Sequence, residues 1–270
     1  MKIVAKTGRS DLAVVYIAET ENGGRVEFVE SLEPPHPRGK KWVNIVSTLY
    51  GCPIRCTLCD AGRSYRGRLS AGEMLFQIDH LVRLRFPDGT VPSEKWKIQF
   101  ARMGEPALNP DVVKVLELLP ERYHAPGLMP SISTVAPGGT DRFFETLLRV
   151  KSELYPDRFQ FQFSLHSTSP AARERLIPVR CWTFGEMARY GERFHATGGR
   201  KITLNFALID RVPVEPKVLR EYFDPGVFLV KVTPLNPTCR ASENGLKPLA
   251  ESDPGWRETI DSLESAGYEV

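Results

Sequence analysis

Short apolar runs with strand-like alternation recur along the chain, and each is followed by a longer stretch in which apolar positions return every three or four residues. The strand-like runs are Trp42 to Ser47, Trp96 to Phe100, Leu128 to Ser133, Phe159 to Leu165, Lys201 to Leu208 and Val227 to Val232. Helix starts are marked by capping chemistry. Ser70 with Glu73 and Thr183 with Glu186 match capping boxes, while Asn109-Pro110, Ser169-Pro170 and Asp253-Pro254 set a capping side chain before a proline. Six strand–helix units in series predict a parallel sheet in an α/β fold, a partial TIM-type (β/α)6 barrel over residues 41–270. Leu12 to Thr20 and Gly24 to Ser31 flank Glu21-Asn22-Gly23-Gly24 and predict a short N-terminal β-hairpin extension within residues 1–40. Barrels of this kind keep their chemistry on the loops that leave the strand ends, so those residues are read for function before packing.

Composition narrows the class. The 270 residues are 41% hydrophobic and 26% charged, which is globular rather than fibrous or disordered. No apolar run approaches the roughly 18 residues of a membrane span, and Met1 to Arg9 is not followed by the apolar core of a secretory signal, so a cytoplasmic protein with no membrane partner is expected. Net charge is +3, but the last thirty residues carry −5. The basic excess of residues 1–240 suits an anionic partner or a solvated surface equally well.

Cysteine placement is more informative. Three of the five cysteines fall within Gly51-Cys52-Pro53-Ile54-Arg55-Cys56-Thr57-Leu58-Cys59-Asp60, directly after the first predicted barrel strand, while Cys181 and Cys239 are isolated. Clustered thiols in a chain without a signal peptide point to a metal or redox centre, not to a disulfide framework. Structural zinc wants four ligands, and no fourth cysteine or histidine lies nearby. An iron–sulfur cubane fits better: three thiolates on Cys52, Cys56 and Cys59 leave one iron open to a small molecule.

This C-x-x-x-C-x-x-C spacing resembles that of the radical S-adenosyl-L-methionine (SAM) superfamily. The resemblance narrows to the RlmN/Cfr-type adenine methyltransferases of rRNA and tRNA. It is carried by Val46-Ser47-Thr48-Leu49-Tyr50-Gly51-Cys52, Met103-Gly104-Glu105-Pro106-Ala107-Leu108-Asn109, Ser164-Leu165-His166 and Pro234-Leu235-Asn236-Pro237, in that order over roughly residues 25–270. The resemblance implies a [4Fe-4S] cluster on the three cysteines and SAM bound at its open iron, cleaved reductively to a 5′-deoxyadenosyl radical. Gly104, Glu105 and Pro106 are then expected to receive the SAM ammonium, with Ser131, Ser133 and Thr134 offering hydroxyls to its carboxylate. Ser164, His166 and Asn236 match positions that contact the ribose and methionine. A flavodoxin- or ferredoxin-type electron donor, an RNA substrate and a monomeric state are the expected partners and assembly.

Some positions depart from the family. Two further cysteines carry methyl transfer there; the position seven residues before Cys52 is Ile45, and the C-terminal acceptor has no counterpart before Val270. Isoleucine cannot resolve a protein–nucleotide adduct by disulfide formation. Cys239, three residues past Asn236, is the one candidate substitute as a catalytic thiol, whereas Cys181 reads as a small buried hydrophobe. Only about 40 residues precede the first barrel strand, so the family's N-terminal accessory domain is expected to be missing. Arg55, Arg63, Arg66 and Arg68, with Tyr65, form a basic rim suited to phosphates, an acidic electron carrier or solvent. Three readings follow: an RNA-modifying methylase, a radical SAM enzyme acting on a small molecule, peptide or protein, and a non-enzymatic zinc module.

Overall fold

A computed structural model describes residues 1–270, which form two compact units. The first comprises Met1–Pro53, Ser64–Ser133 and Thr140–Gln160; the second comprises Ile54–Arg63, Thr134–Gly139 and Phe161–Val270.

The first unit opens with antiparallel strands β1 (Lys2–Arg9), β2 (Ala13–Glu19) and β3 (Arg25–Ser31). β2 and β3 pair around the Glu21–Gly24 turn. The additional strand β1 carries no apolar alternation, because all but one of its residues are exposed; backbone pairing with β2 holds it at the sheet edge. β4 (Lys41–Val46) follows, then a small ribbon of β5 (Leu49–Gly51) and β6 (Tyr65–Arg68). α1 (Ala71–Arg85), β7 (Lys95–Phe100), α2 (Asp111–Arg122), β8 (Leu128–Thr134) and α3 (Asp141–Leu154) complete the unit. β4, β7 and β8 are parallel neighbours, as expected for this α/β fold.

Alternation explains the packing. Trp42, Asn44 and Val46 of β4 pair with Trp96, Ile98 and Phe100 of β7, and all six are fully buried. The two indoles stack at 5.7 Å, and Trp96 Nε1 donates to Asn44 Oδ1 at 2.7 Å. Glu30 is buried beside them and accepts from both Nε and Nη2 of Arg85, at 2.9 and 2.7 Å, from Trp42 Nε1 at 3.1 Å and from Arg38 Nε at 3.2 Å. Both capping boxes form, and Ser169 caps its helix by accepting from Ala172 N–H. Asn109 serves the start of α2 as expected, its Oδ1 accepting from Asp111 N–H at 3.1 Å. The helix begins at Asp111, and the Asn109 amide nitrogen is at the same time used across the fold. Asp253 precedes its helix, but its carboxylate accepts from Ala250 N–H instead of a helical donor.

The second unit contains β9 (Gln160–Ser164), α4 (Pro170–Leu176), α5 (Phe184–Ala196), β10 (Ile202–Leu208), α6 (Pro216–Tyr222), β11 (Phe228–Pro234), α7 (Cys239–Glu243) and α8 (Pro254–Ser265). β10 pairs in parallel with both β9 and β11. Phe161 and Phe163 are buried and pack on the apolar face of α5, with the Phe161 and Phe194 rings 4.9 Å apart. No helix is long and apolar enough to cross a membrane.

Candidate active site

In the first unit, the segments that follow β4 and β7 are bonded to each other. Thr48 and Leu49 N–H groups donate to Met103 O at 2.8 and 3.1 Å, and Met103 N–H donates to Ser47 Oγ at 3.1 Å. The Asn109 amide closes the arrangement by donating to Thr48 O and Leu69 O, both at 2.7 Å. Gly104 lies in the left-handed region with φ 100°, and a Cβ there would stand 2.5 Å from Leu49 Cβ, so this close approach excludes any side chain. Glu105 is buried, and its Oε1 accepts from Ala107 N–H at 3.0 Å, capping the turn Pro106–Leu108. Ser131 is 1% exposed and its Oγ has no hydrogen-bond partner. Ser133 Oγ stands 3.5 Å from Gln99 Nε2. Cys52 is half-buried and follows Gly51, where a Cβ would collide with Ser64 O.

In the second unit, residues 54–63 form a tight loop. Cys59 N–H donates to Cys56 O and Gly62 N–H to Cys59 O, both at 3.2 Å, while Arg55 takes φ 58°. Residues at and just before α7 clamp this loop. Thr238 Oγ1 donates to Leu58 O at 3.0 Å, Arg240 donates to Cys56 O and Arg55 O at 3.1 and 3.0 Å, and Asn244 Nδ2 donates to Thr57 O at 3.3 Å. In return Asp60 accepts from the N–H groups of Arg240 and Cys239 at 2.9 and 3.1 Å, which holds its carboxyl below the ordinary range. Arg63 pairs with Asp60 and Glu243, so its charge is satisfied within the chain and it leaves the expected basic rim.

His166 is buried just past β9 with φ 60°, and its Nδ1 accepts from Ala207 N–H at 3.1 Å. That bond assigns the neutral tautomer, with the proton on Nε2. Burial, reinforced by the Arg173 charge, pushes its pKa down to about 4, so the ring is a neutral donor at physiological pH. Ser164 is half-buried, Thr134 Oγ1 accepts from Ala136 N–H at 2.9 Å, and Asn236 and Cys239 are exposed.

No family model matches the chain. It is 31% identical over 209 residues to a probable dual-specificity RNA methyltransferase RlmN of Thermus thermophilus, a match covering 75% of this chain and 54% of that protein. A protein of the same description from Deinococcus deserti is 26% identical over 266 residues, covering 97% of this chain and 73% of the relative. The crystal structure of a radical SAM methyltransferase from Sphaerobacter thermophilus superposes with a TM-score of 0.79 at 22% identity, over 99% of this chain and 75% of that one. The chain is thus similar in sequence to RlmN-type RNA methyltransferases and shares the fold of a radical SAM methyltransferase. The radical SAM enzyme HemN of Escherichia coli also shares the fold, with a TM-score of 0.55 at 15% identity, over 87% of this chain and 55% of that one. The RlmN-like chain spans about half the length of the Thermus relative, and its relatives are named as enzymes.

The donor set of the RlmN-like chain fits an iron–sulfur centre. Cys52, Cys56 and Cys59 form no disulfide, all three are half-buried, and three thiolates are what a cubane with one open iron requires. His, Cys, Asp and Glu side chains form no group of three at ligating distance, so the fit rests on donor chemistry and on the clamped loop. The buried, unbonded Ser131 hydroxyl adds a polar group that lacks a protein partner.

The α7 clamp and Arg173 were not visible in the sequence. Asp60 and Arg240 are 180 residues apart, and no local pattern links them. Arg173 is buried on α4 and donates to Trp182 O at 3.2 Å and Val135 O at 3.0 Å. Burial pulls its guanidinium below the ordinary value, while Cys181 and then Cys56 pull it back up.

Proposed function

We propose that this chain is the catalytic core of a radical SAM methyltransferase that acts on an RNA adenine. The observation that carries the reading is the three-cysteine loop, whose backbone carbonyls and Asp60 carboxylate are fixed by the α7 segment. Cys52, Cys56 and Cys59 would hold a [4Fe-4S] cluster, which supplies the electron that cleaves the SAM sulfonium. Gly104 and Pro106 shape a backbone cradle for the SAM ammonium, and Glu105, which caps the turn Pro106–Leu108, would supply the carboxylate that faces it. Ser131 and Ser133 would orient the SAM carboxylate; Ser131 brings a hydroxyl with no competing protein bond. His166, locked as a neutral Nε2–H donor, would orient the ribose with Ser164 and Asn236. The RNA assignment is supported by the names of the relatives. A flavodoxin- or ferredoxin-type protein would deliver the electron, to a monomer working in the cytoplasm.

A second reading is favoured by Ile45, which sits in β4 opposite Gln99 where the family carries a thiol. It keeps SAM cleavage but directs it at a small molecule, peptide or protein, without a methyl-cysteine; Cys239, exposed at the start of α7, is the one thiol that would restore the family's route.

Anaerobic reconstitution with iron and sulfide, followed by dithionite and SAM, tests the common core. Production of 5′-deoxyadenosine and methionine by the wild type but not by Cys56→Ala is expected. A Cys56→Ala variant that still produces them would refute the ligand assignment. RNA methylation abolished by Cys239→Ala would select the first reading, and turnover of a non-RNA acceptor the second.

A further inference from the structure

The second unit holds a cavity of about 540 Å³ that neither the cysteine loop nor His166 lines. Its wall is built from α4, residues 177–183, the first turn of α5 and the end of α6. One side of the wall is cationic. Arg173 is 8% exposed, and its guanidinium donates to Trp182 O at 3.2 Å and Val135 O at 3.0 Å, both neutral, while its Nε has no hydrogen-bond partner. No carboxylate pairs with it; the Cys181 thiol beside it donates to Val179 O at 3.6 Å and brings no fixed charge. A buried cation without a counter-charge is destabilising by itself, and its field carries far in a poorly hydrated wall. Arg180, exposed in the same wall, adds a second cation, against Glu174 as the one carboxylate. The other side is aromatic. The Phe184 ring centroid lies 5.9 Å from Arg173 Cζ and 5.8 Å from the Tyr222 ring, and Tyr222 is left 44% exposed. Open rings beside two cations suit a ligand in which a flat π-system is joined to an anion. A carboxylate or phosphate alone would occupy a small part of this volume and leave the rings uncovered.

We infer that this cavity is a nucleotide subsite: it takes one nucleotide of a single-stranded RNA, with the base against Phe184 and Tyr222 and the phosphate on Arg180 in the field of Arg173. The inference deepens the RNA reading given above and rests on it. Stacking on Tyr222 is sequence-tolerant, because every base has a π-face, so the subsite grips the strand without reading its sequence. Glu174 would accept from a ribose hydroxyl or an exocyclic amine, and it repels a phosphate placed on its own side of the cavity, which fixes the direction in which the nucleotide enters.

The test is binding by the full chain, reconstituted anaerobically with iron and sulfide, of a fluorescein-labelled single-stranded RNA of about 12 nucleotides, read by anisotropy over a range of salt concentrations, with AMP as a second probe. Tyr222→Ala is expected to raise the Kd for the RNA about tenfold with the salt slope unchanged, and Tyr222→Phe, which keeps the ring, to stay within about twofold. Arg180→Gln should weaken binding several-fold and reduce the slope of log Kd against log salt by about 0.7, the signature of one lost phosphate contact on a single strand. Arg200→Gln removes the same charge from an exposed position outside the cavity and should stay within about twofold of wild type. Arg173→Gln is expected to weaken binding about tenfold, and the exposed Tyr222 and Arg180 keep the test open should that variant fail to fold. Wild-type RNA affinity in both Tyr222→Ala and Arg180→Gln would overturn the inference and leave the RNA reading standing. AMP binding that depends on Tyr222, with no binding of RNA, would give the cavity to a free nucleotide and overturn its assignment to a strand. A wild-type chain that binds neither probe would overturn the RNA reading, and this inference with it.

Discussion

Acidification is expected to weaken the second unit through His166. The ring is buried, its Nδ1 is occupied by Ala207 N–H, and its folded pKa of about 4 lies below the 6.5 of the unfolded chain. The unfolded state therefore binds the extra proton between these two values, so stability is fully present above pH 6.5 and is lost as pH falls toward 4. A difference of this size corresponds to about 3 kcal/mol once both states are protonated, and to about 2 kcal/mol at pH 5 relative to pH 7.5. His166→Asn is the matched control: its Oδ1 can accept from Ala207 N–H, asparagine tolerates the left-handed backbone at φ 60°, and it does not titrate. Urea denaturation of both proteins at pH 7.5 and pH 5.0 measures the effect. Other carboxylates that titrate in this range contribute equally to both proteins and cancel in the comparison. The wild type should lose about 2 kcal/mol more than His166→Asn, a difference of about 1 M in midpoint. Equal losses in the two proteins would show that the buried ring is not the source of the pH dependence.

Three further outcomes follow from single contacts. Glu30→Gln leaves Arg85 and Arg38 facing a neutral amide and is expected to cost about 3 kcal/mol of unfolding free energy, read by urea denaturation. Gly104→Ala drives a methyl into Leu49 at a positive φ; it should lower stability by about 2 kcal/mol and weaken SAM binding at least about tenfold by calorimetry on the reconstituted protein. Ser131→Ala removes a hydroxyl that bonds no protein group, so stability should change by less than about 0.5 kcal/mol while the Kd for SAM rises several-fold. An unchanged Kd would remove Ser131 from the proposed site.

The sequence was most readable where burial imposed a period. β4 and β7 share the pattern that places Trp42, Asn44, Val46, Trp96, Ile98 and Phe100 inside, and the capping boxes at Ser70 and Thr183 depend on residues only three apart. β1 could not be read this way, because its residues face solvent and only its backbone pairing defines it. The β5–β6 ribbon is three and four residues long with glycine in both strands, too short to show alternation. Asn109 keeps the local role that the sequence suggested, its Oδ1 accepting from Asp111 N–H, and adds one that the fold imposed: its amide nitrogen donates to Thr48 O and Leu69 O, both far from it in sequence. Among the candidate site residues, the cysteine loop was legible from spacing alone. The tautomer of His166 and the field of Arg173 depend on contacts with Ala207, Val135 and Trp182, which no sequence spacing encodes.

The clamp on the cysteine loop also orders events in time. Arg240, Thr238 and Asn244 hold Leu58, Cys56 and Thr57 across about 180 positions of sequence. At ribosomal rates of about 5–20 residues per second, the loop emerges roughly 10–35 s before the residues that fix it. For that interval the three thiols belong to a chain whose loop carbonyls and Asp60 have no partners. Iron delivery during synthesis would meet a pliable loop, and delivery afterwards a set one. The residues around α7 thus decide when the cysteine loop becomes fixed as well as what shape it takes.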